Sequence, residues 1–221
     1  MREIVKHAAK TAFVMIAFTV VGTAILAYMH DLTKAPIAES EAQARMALFR
    51  QIVPDTMHDN DLLQDVIEIG PDAALGNRTT SHVYRARLAG KPAAVILEAI
   101  APDGYSGDIK LLVAIHADGT IAGVRVLTHK ETPGLGDYID IARSAWIRQF
   151  DQQSLTLTPP EKWKVKKDGG QFDYITGATI TPRAVVNAVH RVLEYYAIHR
   201  ESLFAVEVTE NGQDAAAGAT S

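Results

Sequence analysis

The chain has 221 residues, a formal net charge of −4 and a sequence pI near 6.0. That length holds one membrane anchor and one core of ordinary size, and with no basic stripe in either half nucleic acid is not an expected partner. The absence of cysteine excludes disulfides, thiolate metal sites, iron–sulfur clusters, c-type haem attachment and lipoprotein acylation.

The histidines are scattered without H-E-x-x-H or similar spacing, and no P-loop or G-x-G-x-x-G element is present. A metal site therefore has no support in the sequence.

Residues 11–29, TAFVMIAFTVVGTAILAYM, carry no charge. At about 1.5 Å per residue they span a hydrocarbon core of roughly 30 Å as one transmembrane helix. Arg2, Lys6 and Lys10 precede the run, opposed by Glu3, whereas Asp31 and Lys34 cancel on the far side. Positive-inside logic puts residues 1–10 in the cytoplasm and everything after His30 outside, with membrane lipid as the partner of the helix. The alternative is a cleaved signal peptide. The apolar run exceeds the roughly 7–15 residues of an h-region and no clean A-x-A site follows, so the reading is an uncleaved anchor.

Residues 30–207 read as the extracytoplasmic domain. Ala42, Met46, Phe49 and Val53 fall on one helical face, with Glu39, Glu41, Arg45 and Arg50 between them. That helix is expected to end before Pro54, with Pro36 separating it from the membrane segment. The acidic residues 55–65 read as a loop.

The pattern then turns to strands. Residues 82–88 and 93–100 flank Ala-Gly-Lys-Pro, and 109–116 and 120–128 flank Asp118-Gly119, which predicts two hairpins. VILEAI and KLLVAI are apolar on successive residues, so both faces of the sheet are expected to be covered. Strands in sequence joined by tight turns imply antiparallel pairing and an α+β layer. Residues 102–108, PDGYSGD, form a connection whose Tyr105 and Ser106 suit either an ordinary surface turn or a loop against a planar ligand.

His129-Lys-Glu-Thr-Pro-Gly-Leu-Gly136 follows the last strand. Pro133, Gly134 and Gly136 force an irregular backbone able to approach a ligand, with Glu131 and Thr132 as polar neighbours. Asp137 reads as the N-cap of a helix running through Trp146 to Phe150, both aromatics being core. Lys162, Lys164, Lys166 and Lys167 form a local basic cluster, either a solvated charge run or an attraction for a phosphate-bearing ligand.

Asp173-Tyr-Ile-Thr-Gly-Ala-Thr-Ile-Thr-Pro182 leads into a strongly amphipathic helical pattern. Gly177 and Ala178 leave the backbone uncrowded beside the Thr179 hydroxyl, with Thr181 as N-cap and Pro182 as first helical residue. Such a helix start aims unpaired N–H groups at whatever Thr179 carries, and a phosphate suits it. The helix runs to about Arg200, with Val185, Val189, Val192 and Tyr196 on its buried face. Residues 208–221 lack apolar content and read as a disordered tail.

Taken together, the anchor, G-Y-S-G-D at 104–108, H-K-E-T-P-G-L-G at 129–136 and D-Y-I-T-G-A-T at 173–179 resemble the G subunit of the Rnf (Rsx) ion-translocating electron-transport complex. That family is related to the C subunit of the sodium-translocating NADH:quinone reductase. The resemblance covers the chain up to its tail. It implies FMN joined through its phosphate to Thr179 by an extracytoplasmic flavin transferase, from FAD and magnesium. Asp173, Thr176, Gly177 and Ala178 are then recognition elements around the acceptor, and Glu131, Thr132, Gly134, Leu135, Gly136, Tyr105 and Ser106 are expected to line the flavin.

The implied function is an electron relay between ferredoxin and NAD, coupled to ion translocation and working only with the other membrane subunits. The alternatives are the same type of complex reducing a redox-sensing regulator, or a non-redox extracytoplasmic ligand-binding or assembly module.

Overall fold

A computed structural model describes residues 1–205, which fall into two compact units, 1–48 and from 49 onward. Helix α1 (Arg2–Ile52) forms the first unit, and its last turn belongs to the second. One 18-residue window of α1 has a mean hydropathy of 2.2 with none of it buried, long and apolar enough to cross a membrane.

The expected break at Pro36 does not occur, because α1 runs through it. A proline inside a helix removes one N–H and strains the preceding turn, at about 3 kcal/mol. Here both Leu32, whose carbonyl loses its partner, and Pro36 are exposed, so water can serve that carbonyl.

The second unit is a five-stranded antiparallel meander in chain order: β1 (Val66–Ile69), β2 (Ser81–Leu88), β3 (Lys91–Gly104), β4 (Gly107–His116) and β5 (Ile121–Thr128). Both predicted hairpins form. Ala89 and Gly90 hold φ of 51° and 72° in the first turn, the left-handed pair whose twist matches that of the strands. In the second, the Asp118 carboxylate accepts from Thr120 N–H and hydroxyl, which lowers its pKa. β1 was not anticipated. It extends the β2 edge with Val66 opposite Tyr84.

Residues 102–108 are less of a loop than expected. β3 continues to Gly104 and β4 begins at Gly107, leaving Tyr105 and Ser106 at the tip of a long hairpin.

Both sheet faces are covered, as the unbroken apolar runs predict. Val95, Leu97, Leu111 and Val113 join one cluster with Val185, Val189, Val192 and Tyr196 of helix α2 (Ile180–Phe204). Each such fully buried side chain contributes about 1.5–3 kcal/mol. On the other face Ala94, Ile96, Leu112 and Ala114 are buried too. There the Phe49 ring lies 4.6 Å from Tyr84, and Ile52 packs so closely on Gly123 that a Cβ would stand 2.7 Å from its Cγ2. At the other end of α2, Arg85 and Arg87 donate to the carbonyls of Ala205 and Phe204 while both pair with Asp65.

The single helix expected from Asp137 to Phe150 is instead two 3-10 helices, Asp137–Ile139 and Ala145–Phe150. Side chains capture the backbone donors a continuous helix would need: Asp140 accepts from Ala142 N–H, and Ser144 accepts from Trp146 N–H. Trp146 and Phe150 are core, as expected. The predicted tail at 208–221 lies outside the described residues.

Candidate functional site

Three stretches far apart in sequence meet at one end of the sheet: the β3–β4 hairpin tip, the irregular segment after β5, and the turn into α2. Glu131 joins them. Its side chain is buried, one carboxylate oxygen accepts from Ser106 N–H at 3.0 Å, and the other accepts from the Thr181 hydroxyl. Its own N–H donates to Nδ1 of His129 at 3.1 Å. Two glycines make room for it. A Cβ on Gly136 would stand 2.8 Å from the Glu131 carboxylate, and one on Gly104 would stand 3.0 Å from it.

The turn before α2 is fastened from behind. Trp146 Nε1 donates to the Asp173 carbonyl at 2.7 Å, and Asp173 N–H donates to the Gln149 side chain at 2.8 Å. The Tyr138 hydroxyl reaches the Ala178 carbonyl at 3.4 Å. Burial pushes that phenol up to about 12, against the pull of the Ile175 backbone. On the outer side Lys166 pairs with Asp173, and Arg183 pairs with Asp168, whose carboxyl it holds below the usual range.

α2 begins two residues before the predicted position, at Ile180 instead of Pro182. Thr181 lies inside the helix, buried, and spends its hydroxyl on Glu131 instead of capping. The residue at the helix mouth is Thr179, and its side chain makes no capping hydrogen bond. First-turn N–H groups have no intrahelical acceptor, and Pro182 contributes none. Gly177 sits at φ +89° with nothing within 4 Å of a built Cβ, so its role is backbone sign and not relief of crowding.

Between these stretches lies a pocket of about 310 Å3. From the sequence-derived set it gathers Tyr105, Glu131, Thr132, Leu135 and Gly136 with Gly177, Ala178 and Thr179. Ile180 and Thr181, not in that set, complete the lining. The other four stand outside it. Ser106 acts through its N–H on Glu131, and Gly134, at φ +76°, donates to the Asp137 carboxylate. Thr176 is exposed, and Asp173 is occupied by Lys166, Trp146 and Gln149.

Residues 104–194 match the family model of the FMN-binding domain, and residues 1–52 match the N-terminal region of RnfG. The chain is 46% identical over 198 residues to the G subunit of the ion-translocating oxidoreductase complex of Pseudomonas aeruginosa, covering 90% of this chain and 92% of that one. The G subunits of Vibrio cholerae and Aliivibrio fischeri are 45% and 44% identical over 194 residues, each covering 88% of this chain and 92% of theirs. The chain belongs to the G-subunit family of ion-translocating oxidoreductase complexes.

In this G subunit the FMN-binding match starts at the hairpin tip and ends within α2, so it contains all three stretches that build the pocket. The lining fits FMN: apolar Leu135 and Ile180 for a planar ring, glycine backbone for close approach, and threonine hydroxyls as donors. Among the described residues, no lysine, arginine or histidine lines it.

Five contributors to the site of this G subunit escaped sequence reasoning: Ile180 and Thr181 in the lining, and Tyr138, Trp146 and Gln149 behind the turn. Thr181 looked like a cap because Thr-Pro marks helix starts. Trp146 was read as core and Tyr138 was not singled out, and their polar tips, which hold the turn, follow only from tertiary placement. The general tendency of buried Tyr and Trp to find a partner is the one signal that pointed to them.

Proposed function

We propose that this protein is a membrane-anchored electron relay whose FMN is esterified through its phosphate to the Thr179 hydroxyl. The observation that carries the reading is the Thr179 hydroxyl, free of capping duty, at the mouth of α2 in a pocket whose lining, among the described residues, offers no cationic side chain to grip a phosphate. A flavin held only by this wall would lose its phosphate anchor. An ester supplies one, with the first-turn N–H groups as its acceptor-free donors.

The attachment is a phosphoryl transfer from FAD. Thr179 Oγ1 bonds to the FMN phosphorus, the bond to AMP breaks, and the hydroxyl proton leaves with the products. A separate flavin transferase with magnesium catalyses it, supplying the base and the metal for the transfer. When bound, FMN supplies one- and two-electron redox chemistry, and the protein's part is binding, orientation and electrostatics. Glu131 fixes the pocket walls to one another, Trp146, Gln149 and Tyr138 immobilise the acceptor turn, and Tyr105, Leu135 and Ile180 form the apolar surround.

In this reading the domain lies on the outer face of the inner membrane with the amino terminus cytoplasmic, which the excess of Arg2, Lys6 and Lys10 over Glu3 supports. Electrons pass between ferredoxin and NAD through partner subunits, and the chain alone turns over neither. The test is co-expression with a flavin transferase, followed by a denaturing gel under ultraviolet light and mass spectrometry of the peptide holding residues 173–183. The wild type carries FMN mass on Thr179, and Thr179→Val runs dark. A dark wild-type band overturns the reading.

A further inference from the structure

We infer that the Glu131 carboxylate holds the flavin of this pocket at a low reduction potential, as a fixed negative charge in the wall that no cationic side chain of the lining offsets. The inference rests on the flavin occupying the pocket proposed above. Glu131 is only 4% exposed, lines the pocket, and among the described residues has no ion-pair partner. What stabilises it is two neutral donors, Ser106 N–H and the Thr181 hydroxyl. These keep the carboxylate in place without cancelling its charge. His129 turns an acceptor nitrogen, Nδ1, toward the Glu131 N–H, and Lys130 points to solvent as an exposed residue outside the lining.

The sign follows from charge alone. Each electron added to oxidised FMN adds one negative charge unless a proton from solvent follows it. Opposite a buried carboxylate, with little water between, that charge is unfavourable. The oxidised form is therefore favoured, and the potential falls. The role is one of positioning and field: Glu131 exchanges no atom or electron with the flavin.

Glu131→Gln is the direct test. Its amide oxygen still accepts from Ser106 N–H and its amide nitrogen can donate to Thr181, so shape is kept and charge removed. The readout is the midpoint potential of the full-length, FMN-loaded protein, with electrons supplied by dithionite and withdrawn by ferricyanide. Glu131→Gln is expected to shift the midpoint to more positive potential. Thr132→Lys, which sets an ammonium at the same wall, is expected to shift it in the same direction, and it stands in for Glu131→Gln should that variant fail to load. A loaded variant whose midpoint is unchanged or more negative overturns the inference while leaving the flavin site intact. Wild-type protein with no bound flavin instead defeats the site itself.

Discussion

The Thr181 hydroxyl donates to the Glu131 carboxylate, both side chains being buried, and so pins the first turn of α2 to the segment that follows β5. The two residues lie 50 positions apart. This contact joins two of the three stretches that line the pocket.

Thr181→Val keeps the volume and deletes the donor, leaving one oxygen of a buried carboxylate unsatisfied. A stability loss of about 1–3 kcal/mol is expected. Thr179→Val, two residues earlier, touches no fold contact and should stay within about 0.5 kcal/mol of wild type while abolishing flavin attachment. Urea denaturation of the two variants with an in-gel fluorescence readout separates the roles.

The glycines divide in the same way. Gly136→Ala drives a Cβ to 2.8 Å from Glu131 and 2.9 Å from Thr181, an overpacking expected to cost about 1–3 kcal/mol and to lower flavin loading. Gly134→Ala meets no atom within 4 Å, and only its φ of +76° resists substitution, by about 1–2 kcal/mol. Melting curves should rank Gly136→Ala below Gly134→Ala, and loading should fall only in the former.

Alkaline pH should loosen the domain through its buried phenols. Tyr138 titrates at about 12 when folded, and Tyr195 and Tyr196 are also raised by burial. Between the unfolded value of 10.0 and the folded one, the native state holds protons that the unfolded state has released. Their contribution is therefore complete below pH about 10 and is lost as pH rises toward 12. Tyr138→Phe removes its share, so its stability should decline less steeply in that window, as followed by circular dichroism and tyrosinate absorbance.

Asp151 offers a stabilising change. One of its oxygens is buried without a hydrogen-bond partner, and burial raises its pKa against the pull of Arg125 and Arg148. A raised carboxyl loses stability as pH climbs through its folded pKa. Asp151→Asn should therefore melt higher at neutral pH, by about 1 kcal/mol, with the gain shrinking toward the unfolded value of 3.8.

Much of this was legible in the chain because the signals were local. Ala89-Gly90 and Asp118-Gly119 each dictate a turn, and the strands on either side alternate or run apolar according to how they are covered. The turns that line the pocket were legible locally as glycine-rich backbone able to approach a ligand, while their joint assignment to one flavin came through motif resemblance. What failed depended on context. Pro36 is a breaker by local energy, yet one lost hydrogen bond does not stop a 51-residue helix whose exposed carbonyl water can reach. The 137–150 segment has a helical pattern, but Asp140 and Ser144 compete for its backbone donors. β1 has four residues, too few to show a period, and it forms because β2 presents an open edge.

Because β1 to β5 pair with their sequence neighbours, the meander can assemble progressively as the chain emerges, with short loops to close. Thr179, the proposed acceptor, arrives last, at the mouth of a helix that packs on the sheet. A modifying enzyme that recognises the docked turn would thus act on completed domains alone, and a loaded flavin would certify that folding had gone to the end.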